Sequence, residues 1–283
     1  MESLIKKIAS SILQKDVVVS HRLLGGMSNY TFVVEADHQK YTFRLPGEKA
    51  ENFVDRNIES RNIKLIEPLG ITNHTLYLDL DSGIKMAEYV EGEILSTLDR
   101  KQHLEAVSNT LKLIHRSGIK ALNDYDMKNR LKQYEKLNHH QNELYYDLKD
   151  TWLSLYKQYE TDPLVLCHGD AQPSNFIIQN DRALVVDFEF SGNNDPYYDI
   201  ACFGNIDFED AKALLDVYLG HKATKEELKK LIVFRMFQTL QWHQVAMFKH
   251  EIGLSEKLHI PFDVVAIKYL EKATQLNKEY HEA

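Results

Sequence analysis

The chain has 283 residues, 43% of them hydrophobic, enough to bury one large core or two modest ones. Its 34 basic and 42 acidic residues leave a formal charge of -8, which excludes a broad attraction for nucleic acid or an anionic membrane and suits a neutral or cationic small molecule. The two cysteines, Cys167 and Cys202, lie in separate apolar runs without metal-ligand or disulfide spacing and read as reduced core residues.

Residues 2–14 set Leu4, Ile5, Ile8, Ile12 and Leu13 at helical spacing. Charges interrupt that pattern, no small-residue cleavage site follows, and no later window approaches about 18 apolar residues, so a cytoplasmic chain is expected. Val17 to Leu24 turns strand-like and breaks at Gly25-Gly26. YTFVVEA (30–36), a polar turn over 37–40 and YTFRL (41–45) predict an antiparallel hairpin. Ala50 to Ile66 is helical in pattern, and HTLYLDL (74–80) and IKMAEYV (84–90) read as two further strands joined by Asp81-Ser82-Gly83. Beyond Glu91-Gly92-Glu93 long helical patterns dominate, over 99–117, 126–159, 209–219, 225–249 and 263–281. Only 164–190 interrupts them, with short apolar runs bounded by turn residues, as expected of buried strands carrying functional loops. The chain contains no internal repeat and no low-complexity tract. The predicted organisation is a β-rich lobe over 1–87, a connector at 88–93 and a larger helical lobe over 94–283.

The chemistry concentrates in that interruption. HGDAQPSN (168–175) and VDFEF (186–190) present Asp170, Asn175 and Asp187 at the ends of apolar runs. Carboxylate and amide oxygens suit a hard divalent cation such as Mg2+, which keeps positions open for phosphate oxygens and water. Asn175 and Asp187 fit that role, and Asp170 is free to accept a hydroxyl proton or orient a nucleophile. Taken singly, each is also an ordinary turn or cap residue. The 13 histidines are scattered and suggest no zinc site.

The spacing His-x-Asp-x-x-x-x-Asn followed by apolar-Asp-Phe-Glu resembles the catalytic and metal loops of the protein-kinase architecture. Glutamate in place of glycine, and Gly-Asp after His168, resemble the aminoglycoside phosphotransferase and choline kinase branch. That resemblance implies a two-lobed α+β fold and an ATP- and Mg2+-dependent phosphotransferase acting on an alcohol. It implies Asp170 as the catalytic residue, with His168 bracing its loop. LLGGMSNYTFVV looks like a nucleotide-covering hairpin and brings in Ser28 and Asn29. FRLPGE puts Arg44 where protein kinases carry a phosphate-binding lysine, with Glu59 on the next helix to aim it, and Glu88, Tyr89 and Val90 look like the adenine-binding hinge.

The same resemblance favours choline as acceptor, through VDFEFSGNNDPYYDIACF, through Gln172 and through a late-helix tryptophan. A quaternary ammonium has no N–H to donate, so aromatic faces hold it. Phe190, Tyr197, Tyr198, Phe203, Trp242 and Phe248 are candidates for that cage, with Glu189 adding negative potential or organising the metal loop. Each aromatic is equally well read as core filling. Asp195 and Asp199 read as turn and cap residues supporting the loop. Open alternatives are ethanolamine, thiamine, a sugar or an aminoglycoside as acceptor, and a non-catalytic protein that binds a small amine.

Overall fold

A computed structural model describes residues 1–23, 29–139 and 142–283. Helix α1 (Glu2–Leu13) turns Ile5 and Ala9 onto the first sheet. Strands β1 (Val18–Leu23), β2 (Asn29–Ala36) and β3 (Gln39–Pro46) follow as antiparallel neighbours. Asp37 and His38 close the β2–β3 hairpin with φ of 49° and 64°, the left-handed pair whose twist matches that of the flanking strands.

Helix α2 (Arg56–Ile66) starts later than its apolar pattern suggests. The Asp55 carboxylate accepts from the N–H groups of Asn57 and Ile58, and this cap fixes the first turn at Arg56. Ala50–Asn52 forms a separate short 3-10 turn. Strands β4 (Thr75–Leu78) and β5 (Lys85–Glu88) complete a five-stranded sheet in the order β1-β2-β3-β5-β4. Its buried face carries Phe32, Val34, Phe43 and Met86 against α1.

A short strand β6 (Glu93–Ile94) leads into α3 (Leu104–His115), α4 (Met127–Glu135) and α5 (Glu143–Tyr156). The continuous helix expected over 126–159 is therefore two helices. Asn138 donates its amide to Gln244 Oε1 at 2.6 Å and to the Gln244 carbonyl at 3.1 Å, and Asn142 caps α5. Such side chains offer the backbone an alternative to helix. Strands β7 (Val165–Cys167), β8 (Phe176–Gln179), β9 (Arg182–Val185) and β10 (Gly192–Asn194) make two small sheets, β10-β7 and β6-β8-β9. Helices α6 (Pro196–Phe203), α7 (Phe208–Leu219), α8 (Lys225–Glu251), α9 (Leu254–Leu258) and α10 (Phe262–Glu282) finish the chain.

Helix α8 is buried on nearly every side and is the axis of the larger core, packed by α4, α5, α6 and α10. The architecture is a two-lobed, protein-kinase-like α+β fold. No helix among the described residues is long and apolar enough to cross a membrane.

Candidate active site

A cavity of about 400 Å3 separates the five-stranded sheet from the helical part. The sheet contributes Asn29, Arg44 and Lys85 to its wall, and the loops after β7 and β9 contribute Asp170, Asn175 and Asp187. Residues far apart in sequence thus share one space.

The loop carrying Asp170 is fixed from below. Asp199, fully buried in α6, accepts from the backbone N–H of His168 at 2.7 Å and of Gly169 at 2.9 Å, and pairs with His115 Nε2 at 3.0 Å. Burial pushes the Asp199 carboxyl up, but the His115 hydrogen bond and charge outweigh it and hold the group below the usual carboxylate range. Gly169 sits at φ +81°, and a Cβ there would lie 2.1 Å from the Phe190 carbonyl oxygen, so only glycine fits. His168 accepts the Asp170 N–H at Nδ1 (3.1 Å), which leaves Nε2 to donate to the Val186 carbonyl at 3.0 Å. It is a neutral brace linking the loops that carry Asp170 and Asp187.

Asp170 lies on the cavity with Gln172 Nε2 and Asn175 Nδ2 each 3.0 Å from its Oδ2, and Cys202 Sγ 3.6 Å from Oδ1. Burial first, then the charges of Asp187 and Glu189, push its pKa up to about 7. Asn175 donates to Asp170 twice, which frees its Oδ1. Asp187 holds the left-handed conformation at φ 71°, a sparsely populated state that here turns its carboxylate to the cavity. Asn175 and Asp187 both open onto the cavity, and hard oxygens such as the Asn175 amide oxygen and the Asp187 carboxylate could hold Mg2+.

A buried ion network lies behind them. Arg44 meets Glu59 at 2.7 Å, Asp187 at 2.9 Å and Glu189 at 3.4 Å. Arg56 meets Glu59 at 2.6 Å and Glu189 at 2.9 Å. The expected Arg44–Glu59 pair is present. Burial opposes the charge on Glu59, but Arg44 outweighs it and lowers the pKa to about 2. Asn62, one turn further along α2, donates to the Ser191 carbonyl at 2.9 Å and to Asn123 Oδ1 at 3.0 Å. The helix is therefore fastened to the helical lobe at two levels. Asn29 lines the cavity and donates to Glu189 Oε1 at 3.1 Å. Ser28 falls outside the described residues.

Tyr89 and Val90 line the cavity between the lobes, but Glu88 does not. Strand alternation turns the Glu88 side chain outward, while its N–H bonds the His74 carbonyl and its carbonyl takes the Asn73 amide. Gln172, Glu189, Phe190 and Trp242 all line the cavity as well. Tyr198 and Phe248 do not. Tyr198 is buried, with its hydroxyl 2.6 Å from that of Tyr125, because a buried phenol needs a polar partner. Phe248 stands six residues after Trp242, about 240° around α8, and packs edge-on against Phe53 at 5.3 Å. Tyr197 and Phe203 also lie away from the cavity.

Sequence reading missed several lining residues: Lys85, which pairs with Arg44 across β3 and β5, and Cys202, Asn205, Arg235 and Tyr269. It also missed Arg56, although a cation three residues before Glu59 on a helix is a legible signal. Arg235 and Trp242 are seven residues apart on α8, which returns to nearly the same face. His115, Cys167 and Asp199 gather within 4.8 Å, a grouping no spacing announced. Their polar atoms are engaged in hydrogen bonds with Tyr218, the carbonyls of Asn194 and Asp195, and the backbone of the loop carrying Asp170, so the set reads as structural.

A bracing histidine, an aspartate beside a hard-oxygen pair, and an arginine–glutamate pair across a cleft between two lobes define a phosphotransferase of the protein-kinase-like class. The sequence matches the Phosphotransferase enzyme family over residues 20–231, most of its length, and the chain belongs to that family. Protein LicA of Haemophilus influenzae is 28% identical over 274 residues, spanning 90% of this chain and 79% of the relative. The choline kinase LicA of Streptococcus pneumoniae has a similar fold, with a TM-score of 0.81, 24% identity and 99% of both chains covered. A choline/ethanolamine kinase family protein from Mesorhizobium loti superposes with a TM-score of 0.74 at 21% identity, covering 92% of this chain and 87% of the other.

Proposed function

We propose that the protein transfers the γ-phosphate of ATP to the hydroxyl of choline, giving phosphocholine. The observation that carries this reading is that Asp170, with its pKa near 7, opens onto the same cavity as three aromatic side chains, Phe190, Trp242 and Tyr269. Aromatic faces suit a quaternary ammonium, whereas an aminoglycoside calls for free carboxylates. Glu189, the carboxylate nearest that wall in sequence, is engaged by Arg44, Arg56 and Asn29. The likeness to choline and choline/ethanolamine kinases supports the same acceptor.

In this reading residues 88–93 are the hinge between lobes at 1–87 and 94–283, and adenine lies against Tyr89 and Val90. Asn175 and Asp187 would hold Mg2+, which supplies positive charge to the phosphate oxygens. Arg44, kept charged and aimed by Glu59, binds phosphate with fixed paired donors. Asp170 orients the acceptor hydroxyl and takes its proton as the oxygen bonds to phosphorus. Phosphoryl transfer passes through a loose transition state, so positioning and charge neutralisation carry most of the work.

The test is a panel of alcohols supplied with ATP and Mg2+ and scored for ADP release. Choline is expected to exceed ethanolamine and thiamine by at least ten-fold in kcat/KM, about 1.4 kcal/mol or more in transition-state binding. Preference for thiamine or an aminoglycoside refutes the acceptor assignment. Asp170→Asn should abolish turnover with nucleotide affinity retained, and near-normal turnover refutes the role of Asp170.

A further inference from the structure

The acceptor end of the cavity contains a charge that a simple cation cage does not call for. Arg235 is 2% exposed and lines the cavity beside Cys202, Asn205 and Tyr269. Its guanidinium donates to Gln238 Oε1 at 2.9 Å and to the Asn205 carbonyl at 3.5 Å, both neutral oxygens. Its Nε has no hydrogen-bond partner, and among the described residues no ion pair joins it to a carboxylate. The other cavity arginine, Arg44, has three carboxylates. A second cation, Lys272, converges on the same Asn205 carbonyl at 3.2 Å.

Arg235 is also close to the reacting position. Cys202 Sγ touches Asp170 Oδ1 and, like Tyr269, feels the charge of both Asp170 and Arg235. Cys202 and Tyr269 are thus shared neighbours of Asp170 and Arg235 on the cavity wall. A buried cation without a counter-ion is costly, and an oxyanion in the cavity relieves that cost.

We propose that Arg235 forms an oxyanion subsite on the acceptor side of Asp170 and thereby determines which molecules bind there. The phosphate of the phosphorylated product is one source of that oxyanion, and a carboxylate on the acceptor is the other. The same charge repels a quaternary ammonium and directs it toward Phe190 and Trp242. This rests on the phosphotransferase reading and specifies its acceptor end.

The experiment compares the unaltered protein with Arg235→Gln and Arg235→Lys, each checked for native melting behaviour. Inhibition constants are measured for phosphocholine, KM values for choline and for L-carnitine, which carries both a trimethylammonium and a carboxylate, and the affinity for inorganic phosphate is read by calorimetry. Loss of one charge-assisted contact in a buried site should weaken oxyanion binding about ten-fold or more. Arg235→Gln should therefore raise the phosphocholine constant by that factor while the choline KM stays level or falls, and Arg235→Lys should restore part of the loss. An effect on phosphocholine identifies the product as the source, and one confined to carnitine identifies the acceptor. Equal rises for choline and phosphocholine, or no change in either oxyanion arm, overturn the proposal. If the unaltered protein phosphorylates no alcohol, the function fails, and the phosphate calorimetry still decides the role of Arg235.

Discussion

Replacing Asp199 by Asn tests whether the catalytic loop is held by a buried anion. The carboxylate takes three hydrogen bonds, from His168 N at 2.7 Å, Gly169 N at 2.9 Å and His115 Nε2 at 3.0 Å. In the less damaging rotamer the new amide nitrogen faces only the Gly169 N–H, so one buried donor loses its acceptor and the other two bonds lose their charge. Hydrogen bonds to charged groups contribute roughly 1.5–3 kcal/mol each, so the substitution should cost about 3 kcal/mol. At about 2–4 °C per kcal/mol for a domain of this size, the melting temperature should fall on the order of 6–12 °C. Because the loop that moves carries Asp170, kcat should fall about 100-fold, the typical effect of an ångström of misplacement. Thermal unfolding by circular dichroism and ADP release under saturating substrates give the two readings. His115→Gln, which removes one of the three bonds, should produce a smaller change in both. A variant that melts within about 2 °C of the unaltered protein with kcat within about three-fold refutes the reasoning, since both sit inside ordinary surface-substitution scatter.

Glu59 has a pKa of about 2 in the folded chain against an ordinary 4.5, so its contribution is complete above pH 4.5 and is lost as pH falls toward 2. That gap corresponds to about 3 kcal/mol, and Glu59→Gln should flatten urea-unfolding free energies measured between those pH values. Gly169→Ala drives a methyl into the Phe190 carbonyl at a left-handed φ, so protein made with it should melt at least about 6 °C lower, as a clash of about 3 kcal/mol implies. Trp242→Ala should raise the choline KM about ten-fold without changing the ATP KM, while Phe248→Leu should lower the melting temperature and leave both constants alone; equal KM effects would return Phe248 to the acceptor wall. Chelating Mg2+ with EDTA should stop ADP release, and added Mg2+ should restore it.

The parts that were legible in the sequence are those whose information is local. The β2–β3 hairpin is written in alternating apolar residues around Asp37-His38, and the two catalytic loops in a fixed spacing of Asp170, Asn175 and Asp187. Contacts made across the fold leave no such trace. Asp199 was read as a supporting cap, yet its three partners come from α3 and the loop after β7, 30 to 84 residues away. Helix α6 was missed although Asp195-Pro196 announces it, with Asp195 capping the N–H of Tyr197. Aromatics in 190–203 and in α8 all looked alike as cage candidates. The helical turn, not the residue type, sends Trp242 to the cavity and Phe248 into the core.

Helix α2 has one consequence for how such a protein is governed. In a kinase whose central helix swings aside between states, activity is throttled by that swing. Here Glu59 ties the helix to Arg44 of β3, Arg56 ties its first turn to Glu189, and Asn62 rivets a later turn to Ser191 and Asn123. Any swing of this helix would have to break these buried ties together, so it is held where Glu59 aims Arg44.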